Sequence, residues 1–226
     1  MSETPPSDVP SRDVSADRGK QPLVGILGGI ASGKSLVAGQ LAALGARVVS
    51  ADALAHEVLE YDEVKQMARE RWGDVVIGPG GRVDRAAVAR IVFAPTAEAA
   101  RERKVLESWT HPEVGRLIRE RVEALVHDPS VAAVVLDVPL MLESGWNRFC
   151  DRMLFVDAPR EARLARAVAR GWSEEDFDRR EAAQPPLAEK RAAADFVIDN
   201  STTPQATAAQ VERFWRTLAS RPGAIN

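Results

Sequence analysis

The sequence predicts an α/β fold in which helices cover a five-stranded parallel sheet. The near-continuous apolar character of five short runs is typical of strands that are buried on both faces. Long segments with helical spacing separate these runs, and parallel strands need such crossovers. The predicted strands are 23–27, 47–50, 133–138, 153–157 and 196–198.

The first run passes directly into a glycine-rich motif. Residues 28–35 read GGIASGKS, which satisfies G-x-x-x-x-G-K-[ST], and an apolar pattern with helical spacing follows at 36–44. Strand, loop and helix in this order are the context in which the motif binds phosphate. We therefore expect a three-layer P-loop NTPase fold.

The residue types of this loop are suited to binding a nucleoside triphosphate. Glycines let the backbone curl with its N–H groups inward, and the helix N-terminus adds partial positive charge toward phosphate. Lys34 is predicted to be catalytic by neutralising the β- and γ-phosphate oxygens, and Ser35 to supply a hydroxyl ligand to Mg²⁺. The competing interpretation is a tight glycine turn with a solvated lysine. The predicted ATP-binding residues are Gly29, Ile30, Ala31, Ser32, Gly33, Lys34, Ser35 and Leu36.

A carboxylate follows the second predicted strand. Asp52 lies in SADALAHEV, residues 50–58, and the carboxyl ends of strands in an open α/β sheet are where ligands bind. It could orient or deprotonate an acceptor hydroxyl for in-line attack on the γ-phosphate. The alternative is that Asp52 is the N-cap of a helix over 53–60. Local sequence does not separate these two hypotheses.

The segment between the second and third strands is much longer than one crossover helix requires. We expect a helical insertion at about 53–128 that binds the acceptor. Its predicted helices are 62–72, 84–92, 97–109 and 112–126.

The third and fourth strands are each followed by candidate site residues. Asp137, at the end of the third strand, could reach a Mg²⁺ shell through water, or could simply cap the strand. Beyond the fourth strand we expect a mobile lid at about 159–190. In this segment Arg163, Arg166 and Arg170 have the spacing of one helical stripe, and closing lids bring arginines onto phosphates. Arg166 and Arg170 are the favoured catalytic candidates, and the alternative is an exposed face paired with acids.

Composition excludes several classes of protein. A net charge of −3 disfavours a nucleic-acid binder, and no apolar stretch is long and uninterrupted enough for a membrane span. Residues 1–20 have no apolar core typical of a signal peptide, so we expect a disordered tail there. The only cysteine, Cys150, cannot form an internal disulfide, which favours a cytoplasmic protein.

The kinase domain is predicted at 21–205, with a C-terminal helix and tail at 206–226. The sequence does not predict the oligomeric state.

A series of motifs makes the sequence more specific than the loop alone. After GGIASGKS and SADALAHEV come RWGDVVIGPGGRVDRAAVARIVF, THPEV, DVPLMLESG, the region of Gln184, and ADFVIDN. In order and spacing, from about residue 23 to residue 200, this series resembles that of dephospho-CoA kinases.

The resemblance implies transfer of the ATP γ-phosphate to the ribose 3′-hydroxyl of dephospho-CoA. It also places His111 and Glu143 near the acceptor, although His111 could instead cap the helix that follows. Three positions depart from the family pattern: Ala31 and Leu36 in the loop, and Ser50 in place of an acid before Asp52.

Two alternatives to this family remain open at this point. One is another small-metabolite P-loop kinase, acting on a nucleoside monophosphate or a different alcohol. The other is a nucleotide-dependent switch protein, although the N-K-x-D motif that such proteins use for base recognition is absent.

Overall fold

The computed structural model describes residues 20–219, so most of the predicted tail at 1–20 and the last seven residues, 220–226, lie outside the described residues. The strands form one sheet in the order β2-β3-β1-β4-β5. The pairings of β1 with β3, β1 with β4, and β4 with β5 are all parallel. The predicted sheet is therefore confirmed. Its strands are β1 Leu23–Gly28, β2 Ala46–Ser50, β3 Ala133–Asp137, β4 Arg152–Asp157 and β5 Phe196–Asp199.

The central strands are buried on both faces, as their continuous apolar sequences predicted. All six residues of β1 are buried, and so are the first four of β3. Side chains of successive strand residues point to opposite faces, so this pattern requires cover on both sides of the sheet.

The helices of the described chain differ in length from six to thirty residues. Helices α1 and α9 cover one face of the sheet, where Leu41 and Phe214 pack in a cluster with Val24 and Ile26 of β1. The helices are α1 Lys34–Ala43, α2 Ala51–Val58, α3 Asp62–Trp72, α4 Arg85–Val92, α5 Ala97–Val126, α6 Arg160–Val168, α7 Glu174–Ala182, α8 Leu187–Ala192 and α9 Pro204–Ala219. Among the helices of residues 20–219, none combines the length and apolar composition needed to cross a membrane.

Helix α5 corrects the prediction of two helices separated near residue 110. The helix runs without interruption through Pro112, although proline removes one backbone hydrogen bond and crowds the preceding turn. Its middle turns bury Val114, Leu117 and Ile118, and burial of such a face stabilises a helix more than local propensity does. The hypothesis that His111 caps a separate helix is therefore wrong, because His111 lies inside a continuous helix.

The start of α2 corrects a second hypothesis. Ser50, not Asp52, is the N-cap, and its hydroxyl accepts a hydrogen bond from the Ala53 backbone N–H at 3.4 Å. Serine is a preferred N-cap because its side-chain oxygen accepts from a free N–H of the first turn. Asp52 lies one residue inside the helix, in its first turn, so it is not needed as the cap.

The contacts divide the chain into two compact units, one formed by the residues up to 49 together with those from 122 onward, and the other by 50–121. The first unit contains almost the whole sheet. In it, the carboxyl end of β1 lies between β3 and β4, where the chain order along the sheet reverses. Such a reversal opens a crevice for ligands. The second unit is helical and has its own buried residues, among them Leu54, Val64 and Val88.

Candidate active site

The glycine-rich loop of residues 29–33 joins β1 to α1 at this crevice. The Ser32 N–H bonds the Gly29 carbonyl at 3.2 Å, and α1 begins directly after Gly33. The N-cap Gly33 makes no side-chain cap bond, and the first turn of α1 carries no acidic residue. The free N–H groups and the helix dipole therefore favour an anion at this position.

Two positions in or beside the loop require glycine for space. A Cβ on Gly33 would lie 2.0 Å from Nδ2 of Asn200, and Gly33 has a φ of +100°. A Cβ on Gly28 would lie 2.5 Å from the Ser32 hydroxyl oxygen. Neither position could hold a larger residue without moving its neighbours.

Ala31 adopts a conformation that favours glycine. Its φ is +55°, and it is the one non-glycine residue of the described chain with a positive φ. The left-handed region costs an L-residue roughly 1 kcal/mol. The loop thus places an alanine in a mildly strained turn.

The Ser32 carbonyl of the loop accepts hydrogen bonds from two side chains of distant segments. The Ser32 carbonyl accepts from Asn200 Nδ2 at 2.7 Å and from Arg166 Nη1 at 3.0 Å. Asn200 Oδ1 in turn accepts from the Thr207 hydroxyl at 2.9 Å, and the Arg166 Nη2 group donates to the Asn200 carbonyl at 2.6 Å. The Ser32 carbonyl is thus satisfied within the protein, and two side chains hold the loop backbone at this peptide.

A small cavity lies beside the loop. Gly28 and Lys34 line it together with residues that follow β3 and with the buried Lys190 of α8. The full lining is Ile26, Leu27, Gly28, Lys34, Val138, Pro139, Met141, Glu143 and Lys190. The structure thus brings the predicted residues Lys34 and Glu143 to one cavity.

The three predicted lid arginines do not lie along one helical stripe, and each has different surroundings. Arg163 is buried, donates to Glu181 at 2.5 Å and lies over the Phe177 ring. Arg166 donates to the loop carbonyls of Ser32, as described above, and of Ala31, at 3.4 Å. Arg170 lies beyond the end of α6, is exposed, and has no side-chain partner among residues 20–219. The single stripe predicted from spacing breaks because α6 ends before Arg170.

The predicted metal residues are oxygen donors. Ser35 is exposed in the first turn of α1, and Asp137 is partly buried at the end of β3. No group of three or more His, Cys, Asp or Glu side chains in the described chain could hold a metal by itself. Magnesium is commonly bound by one or two protein oxygens, with water and phosphate oxygens completing its shell, so these residues fit Mg²⁺ delivered with a nucleotide.

The predicted acceptor residues Asp52 and His111 belong to the helical unit. Asp52 is exposed in the first turn of α2, and His111 is exposed near the middle of α5. Neither side chain has a hydrogen-bond partner within residues 20–219. Both are available to bind an acceptor.

Residue patterns did not identify Lys190 or Asn200 as site residues. Lys190 lies in a short charged helix, and Asn200 follows β5 in the motif ADFVIDN. The position of Asn200 just after a predicted strand was a usable signal, since strand ends gather at one edge of the sheet. Nothing in the local sequence marks Lys190 as buried.

Comparisons with known proteins agree with this geometry. A family model for dephospho-CoA kinase matches residues 22–205. A curated dephospho-CoA kinase from Symbiobacterium thermophilum is 41% identical over 203 residues, covering 89% of this chain and 83% of the relative. The corresponding enzyme from Thermobifida fusca is 40% identical over 202 residues, covering 88% and 96%.

Solved structures show the same fold. A crystal structure from Thermus thermophilus superposes with a TM-score of 0.71 at 35% identity, covering 89% of this chain and all of the other. A dephospho-CoA kinase from Campylobacter jejuni superposes with a TM-score of 0.64 at 24% identity, which supports the fold alone. The phosphate loop at the crevice and a family match over most of the sequence lead to one conclusion. The chain belongs to the dephospho-CoA kinase family of ATP-dependent kinases.

Proposed function

We propose that the chain transfers the γ-phosphate of ATP to the ribose 3′-hydroxyl of dephospho-CoA, giving coenzyme A and ADP. The observation that carries the proposal is the loop at the crevice of the sheet, within a family match over residues 22–205. The phosphate loop and helix start of residues 29–36 bind the triphosphate through those of their N–H groups that have no acceptor within the loop, and Lys34 neutralises its β- and γ-phosphate oxygens.

Ser35 and Asp137 would hold the magnesium ion of the nucleotide. When bound, Mg²⁺ offsets the negative charge that develops on the phosphate oxygens during transfer. The exposed hydroxyl at the start of α1 and the carboxylate at the end of β3 support this assignment.

Asp52 acts on the acceptor. Its carboxylate accepts the proton of the acceptor hydroxyl while the hydroxyl oxygen bonds to the γ-phosphorus and the bond from phosphorus to the ADP oxygen breaks. His111 and Glu143 bind the acceptor and orient it. The exposure of the Asp52 and His111 side chains and the lack of competing partners within residues 20–219 support these roles.

Residues 159–190 close over the phosphates as a lid. The Arg170 side chain forms no hydrogen bond or ion pair within the described chain. Its guanidinium can therefore move onto the transferred phosphoryl group and stabilise the charge of that group without breaking an interaction. Arg166 acts in the same step through the loop carbonyls that it holds, and it can contact phosphate only by releasing them. A closed lid also excludes water and so limits ATP hydrolysis.

The experiment that tests the proposal is an ADP-release assay with dephospho-CoA, set beside AMP, CMP and shikimate, with the product identified by mass spectrometry. We expect ADP release to depend on dephospho-CoA and a product heavier by one phosphate. Turnover with another alcohol and none with dephospho-CoA would overturn the proposed acceptor while leaving ATP binding intact.

A further inference from the structure

Lys190 is a buried cation that the reaction described above does not use. The residue is 3% exposed, although lysine is almost never fully buried unless it is paired. Its ammonium carries three N–H donors. In the described chain these donors meet one acceptor, the neutral side-chain oxygen of Gln184, at 2.9 Å. No carboxylate of residues 20–219 forms an ion pair with it.

The electrostatic surroundings of Lys190 contain one carboxylate and one further ammonium. Burial lowers the pKa of Lys190, the carboxylate of Glu143 raises it, and the ammonium of Lys34 lowers it. Glu143 is itself exposed and therefore well solvated. A buried cation without a paired anion is unfavourable, so such a group is a candidate for binding a ligand of opposite charge.

The position of Lys190 indicates which ligand this is. Lys190 and Lys34 line the same cavity, together with Gly28 at the end of β1. Helix α8, which carries Lys190, lies against the phosphate loop, since a Cβ on Gly29 would come within 2.9 Å of the Leu187 side chain. The lysine of a phosphate loop reaches the β- and γ-phosphates, so a second ammonium in its cavity faces the same end of the nucleotide.

We propose that Lys190 is a second phosphate-binding cation, which together with Lys34 contacts the γ-phosphate of ATP through the free N–H donors of its ammonium. The inference rests on the proposed binding of ATP in the loop. It gives α8, at the end of the lid segment, a direct role in distinguishing ATP from ADP. Gln184 positions the ammonium by its hydrogen bond.

The test is the ratio of the affinities for a non-hydrolysable ATP analogue and for ADP, measured by titration calorimetry without any acceptor. In Lys190→Met the side chain loses its charge and is only one heavy atom shorter. We expect its affinity for the ATP analogue to fall at least tenfold, its affinity for ADP to change less than threefold, and kcat to fall at least tenfold. Lys190→Arg, which keeps the charge, should recover part of the lost affinity for the ATP analogue.

A matched control comes from the same helix. Arg191→Met also removes one positive charge, but Arg191 is exposed and pairs with Asp157 at the end of β4. This variant should bind both nucleotides within about twofold of the wild type. Thermal unfolding separates a folding defect from a binding defect, since replacing a buried unpaired charge by an apolar side chain should leave the unfolding temperature unchanged or raise it.

An unchanged ratio of the two affinities in a folded Lys190→Met variant would overturn the inference. If Lys190→Met does not fold, Lys190→Gln takes its place in the same measurement, and an unchanged ratio there has the same consequence. Because this readout needs no acceptor, it is independent of whether dephospho-CoA is the substrate.

Discussion

The polar groups of the phosphate loop are bound by buried or half-buried side chains, whereas those of the helical unit, residues 50–121, form ion pairs at the surface. At the loop, the Ser32 carbonyl is bound by Asn200 and Arg166, and Asn200 and its partner Thr207 are 3% and 0% exposed. In the helical unit, ion pairs such as that of Arg116 with Glu113 lie at the surface. A buried hydrogen bond costs roughly 1–3 kcal/mol to break, whereas an exposed ion pair contributes about 0–1 kcal/mol.

This difference indicates which region has a fixed geometry before substrate arrives. The loop must present its N–H groups in one orientation. A hydrogen-bond network holds the loop through Arg166 of α6, Asn200 after β5 and Thr207 of α9. The helical unit leaves Asp52 and His111, the residues proposed to act on the acceptor, exposed and without partners in the described chain. The following predictions test this contrast.

Loss of the Lys34 ammonium should have the largest effect. In Lys34→Ala, turnover should fall by several powers of ten, each about 1.4 kcal/mol of lost transition-state stabilisation. The measurement is ADP release at saturating dephospho-CoA, with thermal unfolding to show that the variant is folded. Turnover close to that of the wild type would contradict the assignment of the loop as the catalytic ATP site.

The carboxylate of the helical unit should affect chemistry rather than ATP binding. Asp52→Asn keeps the size of the side chain and loses its ability to accept a proton, so kcat should fall about 10²- to 10⁴-fold. The dissociation constant for ATP, measured by titration calorimetry, should stay within about threefold of the wild type. An equal loss in kcat and in ATP affinity would instead make Asp52 part of the nucleotide site.

The buried network behind the loop should have an intermediate effect, seen on ATP alone. Thr207→Val removes the hydroxyl that donates to Asn200 Oδ1, and the orphaned amide costs roughly 1–3 kcal/mol. We expect the KM for ATP to rise about tenfold as the loop loosens, with the KM for dephospho-CoA unchanged. The measurement is steady-state kinetics with each substrate varied in turn.

Two control variants accompany Thr207→Val. Thr207→Ser keeps the hydroxyl and should restore the KM for ATP. Gln210→Ala removes the hydrogen bonds between α9 and Asp199 at the end of β5, but none to the phosphate loop. This variant should leave both KM values unchanged. A rise in both KM values in Thr207→Val would indicate general destabilisation instead of a loosened loop.

The smallest effect should come from the ion pair of Arg71 with Glu102 in the helical unit and should depend on pH. Hydrogen bonds from Arg71 and Trp72 lower the pKa of Glu102 from 4.5 to about 2. A lowered pKa in the folded state stabilises the protein above the unfolded value of 4.5, and this contribution is lost as the pH falls from 4.5 toward 2. The difference in unfolding temperature between the wild type and Glu102→Gln should therefore shrink across this range. A difference in unfolding temperature that stays constant from pH 4.5 down to pH 2 would contradict the lowered pKa of Glu102.

Much of the fold could be predicted from the sequence because its signals are local. The apolar runs that became β1 to β5 are short, continuous and separated by helical patterns, so both their type and their approximate bounds followed. The phosphate loop was predictable for the same reason, since the motif specifies its own strand, turn and helix. Pro112 shows the limit of local signals: its usual effect on a helix is overridden by the packing of α5.

Residue patterns were sufficient to predict the order of the strands along the chain, the position of the phosphate loop and the family, because each depends on residues that are neighbours in sequence. The folded structure was needed to show that Asn200 and Arg166 bind the Ser32 carbonyl, across 168 and 134 residues, and that the buried Lys190 lines one cavity with Lys34. Burial and hydrogen-bond partnership are properties of the folded chain. A lysine, an asparagine or an arginine has the same local sequence preferences whether it faces water or a phosphate.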